Sequence, residues 1–109
     1  MKAGKIKTKT ENFILREAIN YKNCVLSVQA SSGHYCTPRV SIENINFYSA
    51  VEIAFISKED GNLIYLSDVK NIESFNRYKE LKQIYHGDTV LGYVPFDLVS
   101  DLQTFLNQD

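Results

Sequence analysis

The segment AVEIAFI, Ala50 to Ile56, is apolar on both faces of the strand it would form, and this constrains the fold more tightly than any other stretch of the chain. Successive side chains of a strand point to opposite sides, so Val51, Ile53 and Phe55 share one face while Ala54 and Ile56 share the other. A strand with no wettable face belongs in the middle of a sheet or under a partner. Glu52 is the residue that does not fit. KEDGN and then LIYLS follow, and Asp60-Gly61 signals a two-residue hairpin turn. Pairing about that turn places Ile64 and Leu66 with Val51, Ile53 and Phe55, and Leu63 and Tyr65 on the opposite face.

Other elements follow from their periods. In Asn23 to Ala30, the residues Cys24, Leu26, Val28 and Ala30 alternate with Val25, Ser27 and Gln29, which predicts a strand with one strongly apolar face. Residues 5 to 10 read as a short strand. Glu11 to Ile19 is open: Ile14, Leu15, Ala18 and Ile19 fall on one helical face with Thr10 as N-cap, yet Phe13 and Leu15 alternate, and the balance leans to strand. From Val69 apolar residues recur every three positions, and the subset Phe75, Tyr78, Leu81 and Tyr85 implies a helix over about 72–85 entered at an angle, closed by His86 and Gly87. Thr89 to Val94 reads as a strand. Pro95 opens a second helix, about 95–107, with Leu98, Val99, Leu102, Phe105 and Leu106 on one stripe. The expected fold is α+β: a mostly antiparallel sheet of about four to five strands with two helices packed on one face.

The length, 109 residues, fits a single domain over 1–109. No apolar run approaches the roughly 18 residues of a membrane span, and MKAGKIKTKT has no apolar segment of a secretory signal behind its lysines. The expected location is therefore cytoplasmic. Lys5, Lys7 and Lys9 are spaced by two, as on one face of an exposed edge strand, where lysine discourages aggregation. No aromatic platform or arginine cluster accompanies them, which argues against nucleic acid as the partner. The weight of Lys, Asn and Ile suggests an AT-rich coding sequence and a bacterial or mobile-element origin.

The chemically capable side chains concentrate in SSGHYCTPRVS, Ser31 to Ser41. With Cys24 and His86, the pair His34 and Cys36 supplies the ligand count of a tetrahedral zinc site, but the spacings match no zinc module. A hairpin turning at Ser32-Gly33 leaves Cys24 and Cys36 on opposite faces. One turning at Ser31-Ser32-Gly33 puts them on one face but more than roughly 10 Å apart at about 3.4 Å per residue. Both exceed the Cα separation of about 7 Å that a disulfide tolerates. On a strand, His34 would also lie too far from Cys36 to activate it. Pro38, with no N–H, ends the pairing and carries Arg39 into a surface loop.

What remains is a contact surface of His34, Tyr35 and Arg39, in a chain with seven tyrosines and six phenylalanines. The expectation is a small binding or regulatory module acting through contact with a macromolecular partner, a protein, as an accessory or inhibitor. No cofactor, metal or catalytic residue is assigned. Two alternatives are a zinc- or thiol-dependent protein using Cys36 and His34, and a small enzyme with Glu52 in a pocket; against the latter stands the reading of Glu52 as an exposed residue or as one of an ion pair, with Arg39 as its partner. An exposed sheet edge or the tyrosine-bearing face of the first helix offers a route to a homodimer.

Overall fold

The computed structural model describes residues 1–108. Its elements run β1 (Ile6–Lys9), β2 (Ile14–Arg16), β3 (Ile19–Asn20), β4 (Val25–Gln29), β5 (Ala50–Ile56), β6 (Leu63–Ile64), α1 (Tyr78–Ile84), β7 (Val90–Pro95) and α2 (Phe96–Leu106). The doubly apolar segment is the central strand. One edge of β5 pairs antiparallel with β4, from Val25 opposite Ile56 to Gln29 opposite Glu52. Its other edge is shared: β7 takes Ala50 to Ala54 and β6 takes Phe55 and Ile56, both antiparallel. β3 continues the sheet beyond β4, while β1 and β2 form a separate two-stranded ribbon. β1 is exposed along its whole length, as its lysines require.

One face of the five-stranded sheet carries the core. Val51, Ile53 and Phe55 meet Leu26 and Val28 of β4, Leu91 and Val94 of β7, and the α2 stripe of Leu98, Val99, Leu102 and Leu106. Burying a side chain of this size contributes roughly 1.5–3 kcal/mol, so this face dominates the stability. The ion pairs of Arg77 with Glu80, Asp97 and Asp101, at 2.6 to 2.9 Å, tie α1 to α2 at the surface. Exposed pairs of that kind contribute about 0–1 kcal/mol each.

The period of three beginning at Val69 has a direct structural counterpart. Val69 N–H bonds to Leu66 O, Ile72 N–H to Val69 O, Phe75 N–H to Ile72 O and Tyr78 N–H to Phe75 O, at 3.0 to 3.2 Å. These are linked three-residue turns, including 3₁₀ segments at Leu66–Asp68 and Ile72–Ser74, and at three residues per turn every apolar member can face the core. The α-helix therefore begins at Tyr78 instead of near residue 72. Gly87 follows it in the left-handed region, φ +84°, as its place after the helix suggested.

Three other expectations are corrected. The β5–β6 connection is a four-residue loop, with Ser57 N–H bonded to Asn62 O, instead of a two-residue turn at Asp60-Gly61. Phe55 nevertheless pairs with Ile64, because the two registers differ by two residues and every side chain keeps its face. In Glu11 to Ile19 the chain is extended, but the buried parity is Ile14 and Arg16, not Phe13 and Leu15. Finally, no hairpin returns along β4 after Gly33. β5 runs along one edge of β4; on the other, β3 pairs with Val25 and Leu26 and the Gln29 side chain holds the Arg16 main chain, while the segment after Gly33 crosses to Glu52 and Tyr93 instead. Among the described residues no helix is long and apolar enough to cross a membrane.

Candidate functional site

The chain from Ala30 to Ser49, which links β4 to β5, contains every residue of the expected contact surface. Its anchor is Arg16, which is 2 % exposed. The Arg16 guanidinium donates from Nη1 to Ala30 O at 2.6 Å and from Nη2 to Ile42 O at 2.8 Å and Glu43 O at 3.0 Å, gripping both ends of the loop's first half. Burial lowers its pKa, with Tyr48 opposing the shift. Gln29 secures the arginine's own backbone: its side-chain oxygen accepts from Arg16 N–H at 2.9 Å, and its side-chain nitrogen donates to Arg16 O at 2.7 Å. The buried Tyr48 adds a second clamp, donating to Val40 O at 2.5 Å and accepting from Ile42 N–H at 2.8 Å. Sequence reasoning missed Arg16. The available signal was parity, since a strand that buries Ile14 turns Arg16 to the same side.

Within this frame His34 lies inward. It is only 7 % exposed, so it is no surface contact. Its Nδ1 is 2.7 Å from Ser31 Oγ, and the Phe13 ring covers it at a centroid distance of 4.9 Å. Phe13 also explains Gly33: a Cβ there would fall 2.7 Å from Phe13 Cδ1, so the glycine makes room for a ring. Cys36 is buried, and its thiol donates to Ser31 O at 3.2 Å. Burial raises the pKa of both Cys24 and Cys36, and both are free thiols. A thiol so placed is a poor nucleophile at neutral pH.

Tyr35 points the other way. Its N–H donates to Glu52 Oε2 at 2.9 Å and its carbonyl accepts from Tyr93 N–H at 3.0 Å, so the loop lies across β5 and β7 on the side away from α2. That crossing coincides with a β-bulge. Val51 pairs with Val94 and Ile53 with Leu91, which leaves Gly92 and Tyr93 opposite the single residue Glu52. At Gly92 a Cβ would lie 2.8 Å from Tyr35 Cβ, so glycine permits the close approach. Tyr93 takes the left-handed conformation, φ +55°, which is costly for an aromatic residue.

The outcome is a cluster of half-exposed aromatic rings. Tyr35 and Tyr93 are 52 % and 51 % exposed, with centroids 5.9 Å apart. The Arg39 guanidinium lies over the Tyr35 ring at 5.2 Å. Tyr35, Gly92 and Tyr93 also line an open cleft of about 500 Å³, completed by Ile84 and Val90, with His86 and Asp88 contributing its polar groups.

Of the three expected contact residues, the structure thus brings Tyr35 and Arg39 together and turns His34 into their support. Tyr93 was not foreseen, because a bulge leaves no mark in the alternation of Val90 to Val94. Glu52 is half-buried and engages Tyr35 main chain, while Arg39 stacks on a ring, so the anticipated Glu52–Arg39 ion pair is not formed. Among the described residues no group of three or more His, Cys, Asp or Glu is placed to hold a metal ion. Comparison with protein-family models, with curated proteins and with solved structures finds no match to this chain.

Proposed function

We propose that this chain is a small binding module that acts by contact with a macromolecular partner, a protein, through the face formed by Tyr35, Arg39 and Tyr93. The observation that carries the reading is Tyr93: an aromatic residue held at φ +55° with half its surface in water. A left-handed non-glycine residue costs on the order of 1–3 kcal/mol, and such strain concentrates where function requires a side chain to be aimed. Tyrosine and arginine are also the residues that most often dominate protein interfaces. The two free thiols favour a reducing compartment, in keeping with a cytoplasmic protein.

The test is affinity capture from the native host with the wild-type chain and with the double variant Tyr35→Ala, Tyr93→Ala, alongside thermal melting of both. A partner retained by the wild type and lost by a variant of nearly unchanged Tm supports the reading. Equal capture by both removes this face from consideration.

A further inference from the structure

We infer that the cleft beside this face receives an aliphatic or aromatic side chain from an acidic segment of the partner, with a carboxylate next to that side chain pairing with Arg39. The inference rests on the binding-module reading and specifies its partner. Two observations define the occupant. First, the cleft, about 500 Å³, is lined chiefly by apolar and aromatic groups from Tyr35, Tyr93, Ile84 and Val90, and it lies open to solvent. An open apolar cleft flanked by tyrosines suits an inserted side chain whose backbone runs along the surface.

Second, Arg39 is set up for an anion that the chain itself does not provide. Among the described residues no ion pair involves Arg39, and Glu52 holds Tyr35 N–H. The guanidinium lies over the Tyr35 ring at 5.2 Å on an exposed side chain, and a guanidinium is the group best suited to a bidentate carboxylate. Asp88 lines the cleft and disfavours a second acid within it. The acid therefore belongs beside the inserted residue, within reach of Arg39, and not in the cleft.

The test is selection of binders from a random dodecapeptide display library on the folded chain, followed by fluorescence polarisation with the enriched peptides. The expected peptides carry an apolar residue with Asp or Glu within about three positions. Tyr93→Ala should weaken them about tenfold or more. Arg39→Ala should weaken them about fivefold and flatten the salt dependence, and Arg39→Glu should bind better to the same peptides with the acid replaced by lysine. Peptides that require Tyr35 and Tyr93 but show no acid preference and ignore Arg39→Glu overturn the acidic partner while leaving the binding face. Peptides indifferent to all these substitutions, or a library without enrichment, overturn both. Self-association in light scattering that Tyr35→Ala abolishes assigns the face to a second copy and also overturns the acidic segment.

Discussion

Glu52 Oε2 accepts the main-chain N–H of Tyr35 at 2.9 Å, so the carboxylate that interrupts the central apolar strand fastens the contact loop to the sheet. Removing it releases this one fastening without touching the core, while Arg16 and Tyr48 still hold the rest of the loop. We expect Glu52→Ala to cost about 1.5 kcal/mol in urea unfolding, since a hydrogen bond to a charged group at a partly wet site lies at the lower end of its range. Glu52→Gln retains an acceptor and should cost less. Proteolytic cleavage within residues 31–44 should accelerate in the alanine variant first. Wild-type stability and cleavage rate in Glu52→Ala would show that the carboxylate does not hold the loop.

Gly92 tests the same contact from the other side. A methyl group there falls 2.8 Å from Tyr35 Cβ, and Gly92 is not among the positive-φ residues, so the cost of Gly92→Ala is steric and not conformational. Overpacking of this kind costs about 1–3 kcal/mol. The double variant Gly92→Ala, Tyr35→Gly removes the obstructing Cβ and should recover part of that loss, a coupling that a double-mutant cycle measures directly. Additive losses would mean that the loop does not rest on Gly92.

Much of this arrangement was legible in the sequence and part of it was not, for definable reasons. Alternation in Asn23 to Ala30 and the two apolar faces of Ala50 to Ile56 located β4 and the central strand, because burial acts on every second residue of a strand. The stripe of Leu98, Val99, Leu102 and Leu106 located α2 within a residue or so at each end. Local pattern is silent where tertiary pairing decides. It could not show that Arg16 main chain is held beside Gln29 and that Tyr35 is fastened to Glu52 and Tyr93, so that the expected Ser32-Gly33 hairpin is a loop with His34 turned inward. Arg16 was obscured because a lone arginine in an extended segment normally faces water, and here three carbonyls that are distant in sequence converge on it.

Tyr93 separates stability from binding. Its left-handed backbone is better tolerated by asparagine, whose short polar side chain suits that region. We expect Tyr93→Asn to raise stability by up to about 1 kcal/mol, or at least not to lower it, while weakening partner capture strongly. A variant that is destabilised as much as a core substitution would show that the ring serves packing instead of contact.

Arg16 is the opposite case, a residue whose loss should be felt chiefly in folding. Its guanidinium satisfies the carbonyls of Ala30, Ile42 and Glu43 at once, and neither its Nη1 nor its Nη2 bonds can be reproduced together by a single ammonium. Arg16→Met should cost about 2–4 kcal/mol by leaving buried acceptors unpaired, and Arg16→Lys should recover only part of it. Chemical denaturation measures both. Near-neutral behaviour of Arg16→Met would indicate that the loop closes over an apolar side chain equally well.

His34 gives the loop a dependence on pH. The ring is packed under Phe13 and bonded to Ser31, and burial lowers its pKa, with the charge of Glu52 opposing the shift and that of Arg16 adding to it. In the unfolded chain the same imidazole titrates near ~6.5. Between that value and the lower folded one, the unfolded chain holds a proton that the folded chain does not, so stability rises with pH across this window. The contribution is complete above ~6.5 and is lost as pH falls through the folded value. Carboxylates titrate lower but overlap the acid end, so the comparison must be with His34→Asn, whose side-chain oxygen can still accept from Ser31. Wild-type Tm should fall more than that of His34→Asn between pH 7.5 and 5, and because Tyr35 is the next residue, wild-type partner affinity should weaken once pH falls through the lower folded value, where the folded chain takes up the proton. Parallel pH profiles for the two proteins would show that the imidazole titrates alike in the folded and unfolded chains, so that its burial contributes nothing to the pH dependence.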